Sequence, residues 1–330
     1  MNEKIKISLS KSTLDMLKKD CEDFRFMKND GTPNMNAFIN TLIANYYETF
    51  TANEEHIHDE IQNAISILPD FYKDKVMPSI VNLFAKQSYP ISDKHNSTTF
   101  AFKPTKISDK AITYIETMLS TNESISSFYR RMFISYTQMT KNEREKLLYK
   151  ENYELLQKAI KKGVQVCIAL QSNEVLKNAS VFSVSPAKDE LFNYVLVYGE
   201  KNITLRLSSV RSVSLLSLKS YIPEKNSELF ARQVACAAQY PMYSTDDEPI
   251  KVQLTEKGKK LFGKIYLYRP TPISIDGDIY TFNCSANQLL YYFERFGDSA
   301  LILSPKRLGI FMRNYYHFAV KKYRSIYKTD

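Results

Sequence analysis

The chain begins with the alternating stretch Lys4-Ile5-Lys6-Ile7-Ser8-Leu9. The alternation predicts a short strand, with three apolar side chains on one face and two lysines and a serine on the other. Ser10 is a good N-cap for a following helix, and a second helix begins near residues 34–36, after a loop rich in turn-forming residues. One strand and two helices cannot bury their own apolar face, so we expect this unit to need a second copy of itself.

A second copy lies further along the same chain. Residues 34–46 match residues 124–136 in character at nearly every position, with a shift of 90 residues, and the preceding helix matches with a shift of 98. In the preceding helix Ser10 corresponds to Ser108, Leu14 to Ile112 and Leu17 to Ile115. The exceptions to the match in the second helix are Asn40-Thr41, which becomes Arg130-Arg131, and Ala44, which becomes Ile134. We therefore predict that one chain supplies both halves of a pseudo-symmetric pair.

The second strand of this pair is defined less clearly than the first. Phe100 and Phe102 alternate as strand residues do, but Pro104 lacks the N–H that a ladder needs. A competing interpretation is that two unrelated helical hairpins share a similar periodicity.

The order of a strand and two helices resembles a ribbon-helix-helix unit over residues 1–50, with a diverged second copy over 98–146 and a helical connection over 51–97, broken near Pro69 and Pro78. In that family two copies interlock through paired strands, whose outward residues face a DNA groove. The resemblance implies that Lys4, Lys6 and Ser8 contact nucleic acid, and we add Arg130 and Arg131 near a helix start.

Composition bounds the class of protein. The chain has 330 residues, enough for two or three domains with real cores, and 44% of them are apolar. No apolar run approaches the ~18 residues of a membrane helix, and the N-terminus reads as a charged strand, so we expect a cytoplasmic protein. Four scattered cysteines predict reduced thiols, not a disulfide framework or a zinc site; they are Cys21, Cys167, Cys236 and Cys284.

The net charge of +9 predicts a polyanionic partner. Residues 299–329 contain no Asp or Glu, although seven lysines and arginines fall there. Basic side chains track phosphates, and the interleaved tyrosines either stack on unpaired bases or pack on the domain or a partner subunit. Both interpretations of the tyrosines stay open. The four in question are Tyr315, Tyr316, Tyr323 and Tyr327.

Beyond Gly163 the apolar period changes from helical to two. A helix over 142–162 leads into short strands at 164–168, 181–184, 192–198, 203–207 and 210–218, which predict a small barrel or a strongly bent sheet. Together with Pro186 and an Arg-containing strand, this order resembles a WYL domain, a small Sm/SH3-like β-barrel of bacterial regulators, over residues 147–220.

The signature of that family is only partly kept. Its Trp-Tyr-Leu aligns with Asn193-Tyr194-Val195, and its Arg-Leu-Asp-Arg-Ile run aligns with residues 206–210, so Tyr194 and Arg206 remain and Arg211 is a candidate substitute for the lost arginine. The resemblance supports the barrel better than the ligand pocket. We add Lys188 as a further candidate for nucleic-acid contact.

Residues 221–330 resemble the C-terminal extension that follows many WYL domains, except that the connection over 219–249 carries no motif. The segment reads as strand, short helix, hairpin, helix, strand and a basic terminal helix, so the whole chain is predicted to be an α+β multidomain protein. In the family this module often mediates dimerisation, which implies a homodimer through the C-terminal region.

Motifs for catalysis or metal binding are not found. Eight glycines form no phosphate-cradling loop, and His56, His58, His95 and His317 have no partner at ligand spacing. Residues 246–248 read as a hydrated acidic loop. We therefore expect no catalytic residue, no metal and no cofactor, and predict that the chain is not an enzyme.

Three functions are compatible with these patterns. The combination resembles the WYL-domain accessory proteins found beside RNA-targeting type VI CRISPR effectors, which implies single-stranded RNA binding and enhancement of an effector nuclease. The alternative is a DNA-binding transcriptional regulator with a ligand-sensing WYL domain, although Lys4, Lys6 and Ser8 give an unspecific reading head. In a third interpretation, the N-terminal half is a protein-docking helical domain and the charge of +9 serves solubility; burial of the face with Lys4 and Lys6 would favour it.

Overall fold

The computed structural model describes residues 4–88, 97–119, 124–189, 191–243, 246 and 248–327. The chain divides into two compact units, residues 1–150 and 151–330. Each unit combines helices with antiparallel sheet, so the predicted α+β class is confirmed. Within the described ranges, every helix is too short or too polar to cross a bilayer.

Two strands form the ribbon of the N-terminal unit. Strand β1 (Ile5–Ser10) pairs antiparallel with β2 (Ser97–Phe102), with Ile7 opposite Phe100. The apolar face of the pair is turned into the unit, and Ile7, Leu9 and Phe102 are buried. The second strand therefore forms, because it ends at residue 102 and Pro104 lies beyond the ladder.

The helices of the N-terminal unit follow the repeat. After β1 come α1 (Lys11–Asp23), α2 (Met35–Ala64) and α3 (Asp70–Ser88), and after β2 come α4 (Asp109–Met118), α5 (Ile125–Gln138) and α6 (Lys141–Leu148). The caps that begin α2 and α5 are equivalent: Asn34 accepts a hydrogen bond from the Ala37 N–H, and Ser124 accepts one from the Ser127 N–H.

The core of the N-terminal unit repeats position by position. Equivalent residues of α2 and α5 are all 6% exposed or less, so the two copies supply the same apolar face. Shared hairpin periodicity alone would not place these pairs around one ribbon. The pairs are Phe38 with Phe128, Ile39 with Tyr129, Leu42 with Met132, Ile43 with Phe133, and Tyr46 with Tyr136.

Two local predictions for this part of the chain were wrong. Helix α2 continues to Ala64 and α3 runs through Pro78, so only the break near Pro69 is found. The helix predicted over 142–162 is two helices, α6 and α7 (Lys150–Lys162). They meet at Tyr149, whose backbone (φ −109°, ψ 32°) departs from helical values, and its hydroxyl donates to the Phe24 carbonyl at 2.5 Å. The polar connection predicted at 88–97 lies mostly outside the described residues.

A five-stranded antiparallel sheet opens the second unit. Its strands are β3 (Val164–Leu170), β4 (Val175–Pro186), β5 (Asn193–Tyr198), β6 (Asn202–Arg206) and β7 (Val210–Lys219), in the order β6-β5-β4-β3-β7. The long strand β4 pairs with β3 through its first half and with β5 through its second half, across a bulge near residues 181–183. The sheet is open rather than the closed barrel predicted, since a 3-10 turn at Leu207–Ser209 joins the two edge strands and no ladder links them among the described residues.

The rest of the unit is an α+β module. Helix α8 (Glu224–Cys236), which the sequence pattern did not indicate, precedes β8 (Ile250–Leu254), α9 (Glu256–Lys264), β9 (Pro272–Asp276) and β10 (Ile279–Phe282). Helix α10 (Ala286–Phe293), β11 (Ala300–Ser304) and α11 (Lys306–Ile326) follow. The four strands are ordered β11-β8-β10-β9.

Two close contacts fix this module. A Cβ on Gly258 of α9 would lie 2.1 Å from the Ser299 carbonyl oxygen, so only glycine fits there. Asp246 is buried, accepting from the Tyr243 N–H at 3.1 Å and from Arg307 at 3.4 Å. The prediction of a hydrated loop was therefore wrong at Asp246, because a basic residue of α11 reaches it.

Candidate nucleic-acid interface

The outward face of the ribbon carries the residues that the sequence placed there. Lys4 and Lys6 are exposed and Ser8 is half-buried, while Ile7 and Leu9 between them point into the core. Across the ladder, Lys6 lies opposite Ala101 and Ser8 opposite Thr99. Lys4 and Lys6 are therefore not buried against another element of the described unit, so the observation that would favour the protein-docking interpretation is not found.

The two lysines of the ribbon do not act on an otherwise neutral surface. They line an open cleft of about 420 Å³ together with Asp109, Thr113 and Glu116 of α4. Carboxylates beside lysines lower the local positive potential that attracts phosphates. The ribbon is thus a weaker anion-binding surface than its own lysines suggest.

Arg130 and Arg131 are engaged within their own unit. The Arg130 Nε donates to the Ser8 carbonyl at 2.8 Å, which ties α5 to β1. Arg131 makes a two-pronged pair with Glu54, at 3.1 and 2.7 Å. The equivalent of Arg130 in the first copy, Asn40, binds the Lys103 carbonyl just after β2 at 3.0 Å. This pair of positions thus anchors each helix to the strand of the opposite copy.

In the second unit, Tyr194 and Arg206 are brought together. They lie directly opposite each other on β5 and β6, and both are half-buried. The Arg206 guanidinium carbon lies 3.2 Å from the centroid of the Phe192 ring, a cation–π contact that fixes the side chain. Of the residues that the sequence predicted, these two form a shared site.

Lys188 and Arg211 are placed elsewhere in the unit. Lys188 donates to the Arg269 carbonyl at 3.0 Å and to the Thr271 hydroxyl at 2.6 Å. Arg211 is exposed and donates to the Asn173 side chain at 2.7 Å, in the turn between β3 and β4. The two arginines therefore have different neighbours: Arg211 contacts Asn173, whereas Arg206 stacks on Phe192.

Three tyrosines missed by the sequence analysis form what we call the tyrosine cluster: Tyr240, Tyr268 and Tyr291. The ring centroids of Tyr268 and Tyr291 lie 5.5 Å apart, and Tyr240 lies 6.3 Å from each of them. The Arg295 guanidinium lies 5.0 Å from the Tyr291 ring. Tyr291 is 44% exposed, so part of its ring is open to a ligand.

The backbone of Tyr268 is held in an unusual conformation. Its φ is +64°, a left-handed value that a tyrosine seldom adopts. The Asp189 carboxylate accepts from its N–H at 3.0 Å, and Gln288 donates to its carbonyl at 3.5 Å. These two contacts, from residues distant in sequence, set the position of the ring. Residues held in this way concentrate at binding sites.

The charges around the tyrosine cluster link it to Tyr194 and Arg206. Burial raises the pKa of Tyr240 well above its usual range, and the neighbouring phenols, Tyr194 among them, add to the rise. Burial also raises the pKa of Tyr268, whereas Arg295 and Arg206 act against that rise. The phenols of Tyr240 and Tyr268 therefore stay neutral at physiological pH.

The terminal helix α11 divides the two interpretations of its tyrosines. Tyr316 packs, since its hydroxyl donates to the Phe293 and Glu294 carbonyls at 3.4 and 3.1 Å. Tyr315, Tyr323 and Tyr327 are exposed, and the last two rings are stacked 6.4 Å apart. The apolar side chains on the outer part of this helix are therefore uncovered within the described unit.

Candidate metal ligands are not clustered in the described residues, and the cysteines form no disulfide there. Among the described residues, no group of three or more His, Cys, Asp or Glu could hold a metal ion. The four cysteines are free, and burial raises the pKa of Cys21 to about 11.

Comparisons with known proteins show a similar fold but no sequence relative. No protein-family model matches the chain, and no curated protein matches it in sequence. The crystal structure of a CRISPR Cas-related protein is similar, with a TM-score of 0.67, 20% identity, and coverage of 98% of this chain and 95% of that one. A proteasome accessory factor B/C of Arthrobacter aurescens aligns over 69% of this chain and 39% of its own, at 17% identity, but a TM-score of 0.24 is too low to show a common fold. The chain therefore shares the fold of the CRISPR Cas-related protein over almost its whole length.

Proposed function

We propose that this chain is a non-enzymatic accessory protein that binds single-stranded RNA and enhances an RNA-targeting CRISPR effector nuclease. The observation that carries the RNA binding is the tyrosine cluster, flanked by Arg206, Arg295 and Tyr194. Ring faces stack on unpaired bases and cations contact phosphates, which is how many proteins hold single strands. The CRISPR part is supported by the fold shared with a CRISPR Cas-related protein.

Single-stranded RNA fits the cluster better than a duplex does. The rings meet edge to face or tilted, so they present several short platforms rather than one flat wall. Stacking requires bases that have left their own stack, which single strands offer and duplexes do not. The alternative is that the three rings have only a structural role and pack against each other. Against it, 44% of the Tyr291 surface is exposed.

The test is fluorescence polarisation with a labelled oligonucleotide of ~20 nucleotides, as single-stranded RNA and as duplex DNA of the same sequence. We expect tighter binding of the single-stranded RNA at physiological salt, and a fall in affinity as salt rises. Equal or tighter binding of the duplex would refute the proposal. Adding the chain to an RNA-targeting effector should then raise the rate of RNA cleavage.

A DNA-binding regulator is the second candidate, and the exposed Lys4 and Lys6 on a paired ribbon favour it. In that case the ribbon enters a major groove and base edges are read from it. The double variant K4A/K6A separates the two functions. A regulator would lose duplex binding outright, whereas an RNA binder that relies on the second unit would keep most of its affinity for single strands.

We also propose that a second copy of the chain covers α11, giving a homodimer through the C-terminal region. Phe311, Phe318 and Tyr323 are each more than half exposed, and patches of this kind are commonly covered by a partner. Sedimentation analysis of the full chain should show a dimer, and Phe318→Asp should give a monomer. A wild-type monomer at all concentrations would contradict this.

A further inference from the structure

A pocket of about 370 Å³ in the second unit has no role in the function proposed above. It lies beside the end of β4, helix α8, strand β9 and the start of α10. No carboxylate lines it among the described residues. Three of its features specify the chemistry of a ligand: a buried amide oxygen, a fixed ammonium group and an apolar wall.

The amide oxygen belongs to Gln288, which is 1% exposed. Its Nε2 donates to the Tyr268 carbonyl, so the amide is oriented and its Oε1 is the atom left over. That oxygen has no hydrogen-bond partner among the described residues. A buried acceptor without a donor destabilises the fold, and a ligand N–H would remove that cost. Because Gln288 lines the pocket, a ligand with an N–H donor would satisfy this oxygen.

The ammonium group belongs to Lys188. The Arg269 carbonyl and the Thr271 hydroxyl hold its Nζ at the pocket, and together they use two of its three N–H groups. Arg232 donates at 3.1 Å to Asn283, which also lines the pocket. An anionic group such as a phosphate is the natural partner of this part of the pocket.

The remaining wall is apolar. Val234 and Ala235 of α8 and Ile273 of β9 line it, with the buried thiol of Cys284 beneath. Burial raises the pKa of Cys284, so this thiol stays neutral and the wall stays apolar. The volume lies near the lower end of the usual range for small-ligand sites, roughly 300–1,000 Å³.

We infer that this pocket binds a single nucleotide, with its phosphate at Lys188, its base against the apolar wall and a base N–H at the Gln288 Oε1. The choice of a nucleotide, among ligands with an anion and an N–H donor, rests on the proposed function. The nucleotide has two possible sources, a free mononucleotide or one unit of a bound strand. The chemistry of recognition is the same for both.

The experiment uses the full chain and titrates it with the four nucleoside 5′-monophosphates and with single-stranded RNA of ~20 nucleotides. Isothermal titration calorimetry gives the affinities of wild type, Gln288→Leu, Lys188→Met and the matched control Lys257→Met, whose lysine is exposed on α9. Thermal unfolding checks the fold. Gln288→Leu removes the unpaired acceptor but also the donor to the Tyr268 carbonyl, so a loss of RNA affinity counts for the pocket only where Lys188→Met shows it as well.

Binding of a monophosphate that weakens roughly fivefold or more in both pocket variants, and not in the control, supports a free nucleotide as ligand. If no monophosphate binds and both pocket variants lose the same factor in RNA affinity, the ligand is one nucleotide of a bound RNA strand. RNA binding that depends on Tyr291 but is unchanged in both pocket variants, with silent monophosphates, overturns this inference and leaves the proposed function standing. If RNA does not bind, the proposed function fails, and the monophosphate titration alone decides the pocket.

Discussion

The ribbon and the tyrosine cluster both present cations, but they present them differently. On the ribbon, Lys4 and Lys6 share a cleft with Asp109 and Glu116, and the arginines predicted beside it are bonded to Ser8 and Glu54. Around the cluster, Arg295 lies over a partly exposed ring. A basic residue in a sequence therefore marks available charge only when its neighbours leave it available, which is why we propose the second unit as the single-strand surface.

The largest expected effect comes from the buried ion pair in the N-terminal unit. Arg144 contacts Asp20 at 2.6 and 3.1 Å, and Tyr136 donates to the same carboxylate. Asp20→Asn leaves Arg144 uncompensated, so we expect a loss of about 3–5 kcal/mol in the unfolding free energy, measured by denaturant titration.

The control for that change is Asp15→Asn. Its carboxylate is exposed and lies 3.9 Å from Lys18, so the unfolding free energy should move by less than about 0.5 kcal/mol. Because we propose that RNA binds to the second unit, Asp20→Asn should alter RNA affinity by no more than roughly threefold, under conditions where the variant stays folded. A parallel loss of RNA affinity would place the site on the ribbon.

Gly258→Ala is the counterpart in the second unit. The added Cβ would meet the Ser299 carbonyl, so overpacking should cost about 1–3 kcal/mol in the unfolding free energy. Gly263→Ala, on the same helix with nothing within 4 Å, should be neutral or stabilising. When both variants are measured near the melting temperature of Gly258→Ala, the RNA affinity of Gly258→Ala should fall. The RNA affinity of Gly263→Ala should not. Equal behaviour of the two variants would contradict the account.

Tyr291→Ala acts on binding rather than on stability. Loss of one stacking face should weaken single-stranded RNA binding by about 1–3 kcal/mol, a factor of roughly 5 to 150, measured by fluorescence polarisation. Tyr266→Ala removes a tyrosine that is 74% exposed and outside the cluster, so it should leave the affinity unchanged. Equal losses in the two variants would mean that exposed tyrosines act only nonspecifically.

The smallest effect is expected from the ribbon. K4A/K6A removes two phosphate contacts at most, so the slope of log affinity against log salt should fall by up to roughly 1 per lysine. Affinity for single-stranded RNA at physiological salt should change by less than about threefold. A loss of more than tenfold, with duplex binding lost as well, would favour the regulator.

Much of the N-terminal fold follows from local sequence. The matched positions Leu14 with Ile112 and Tyr46 with Tyr136 are buried in both copies, because helical spacing and side-chain size are local properties. The outward position of Lys4 and Lys6 follows from strand alternation in the same way.

The candidate site was harder to predict, because its partners lie far apart in sequence. Tyr268 owes its position to Asp189, 79 residues away, and Arg130 is bonded to Ser8, 122 residues away. No spacing or alternation shows such contacts. The open sheet could not be predicted either. The sequence of the short turn at Leu207–Ser209 is compatible with both an open sheet and a closed barrel.

The most direct test is ultraviolet crosslinking of the chain to single-stranded RNA, followed by mapping of the crosslinked peptides. The account predicts crosslinks in the peptides that contain Tyr240, Tyr268 and Tyr291. Crosslinks confined to residues 4–10 and 97–103 would contradict it and return the function to the ribbon.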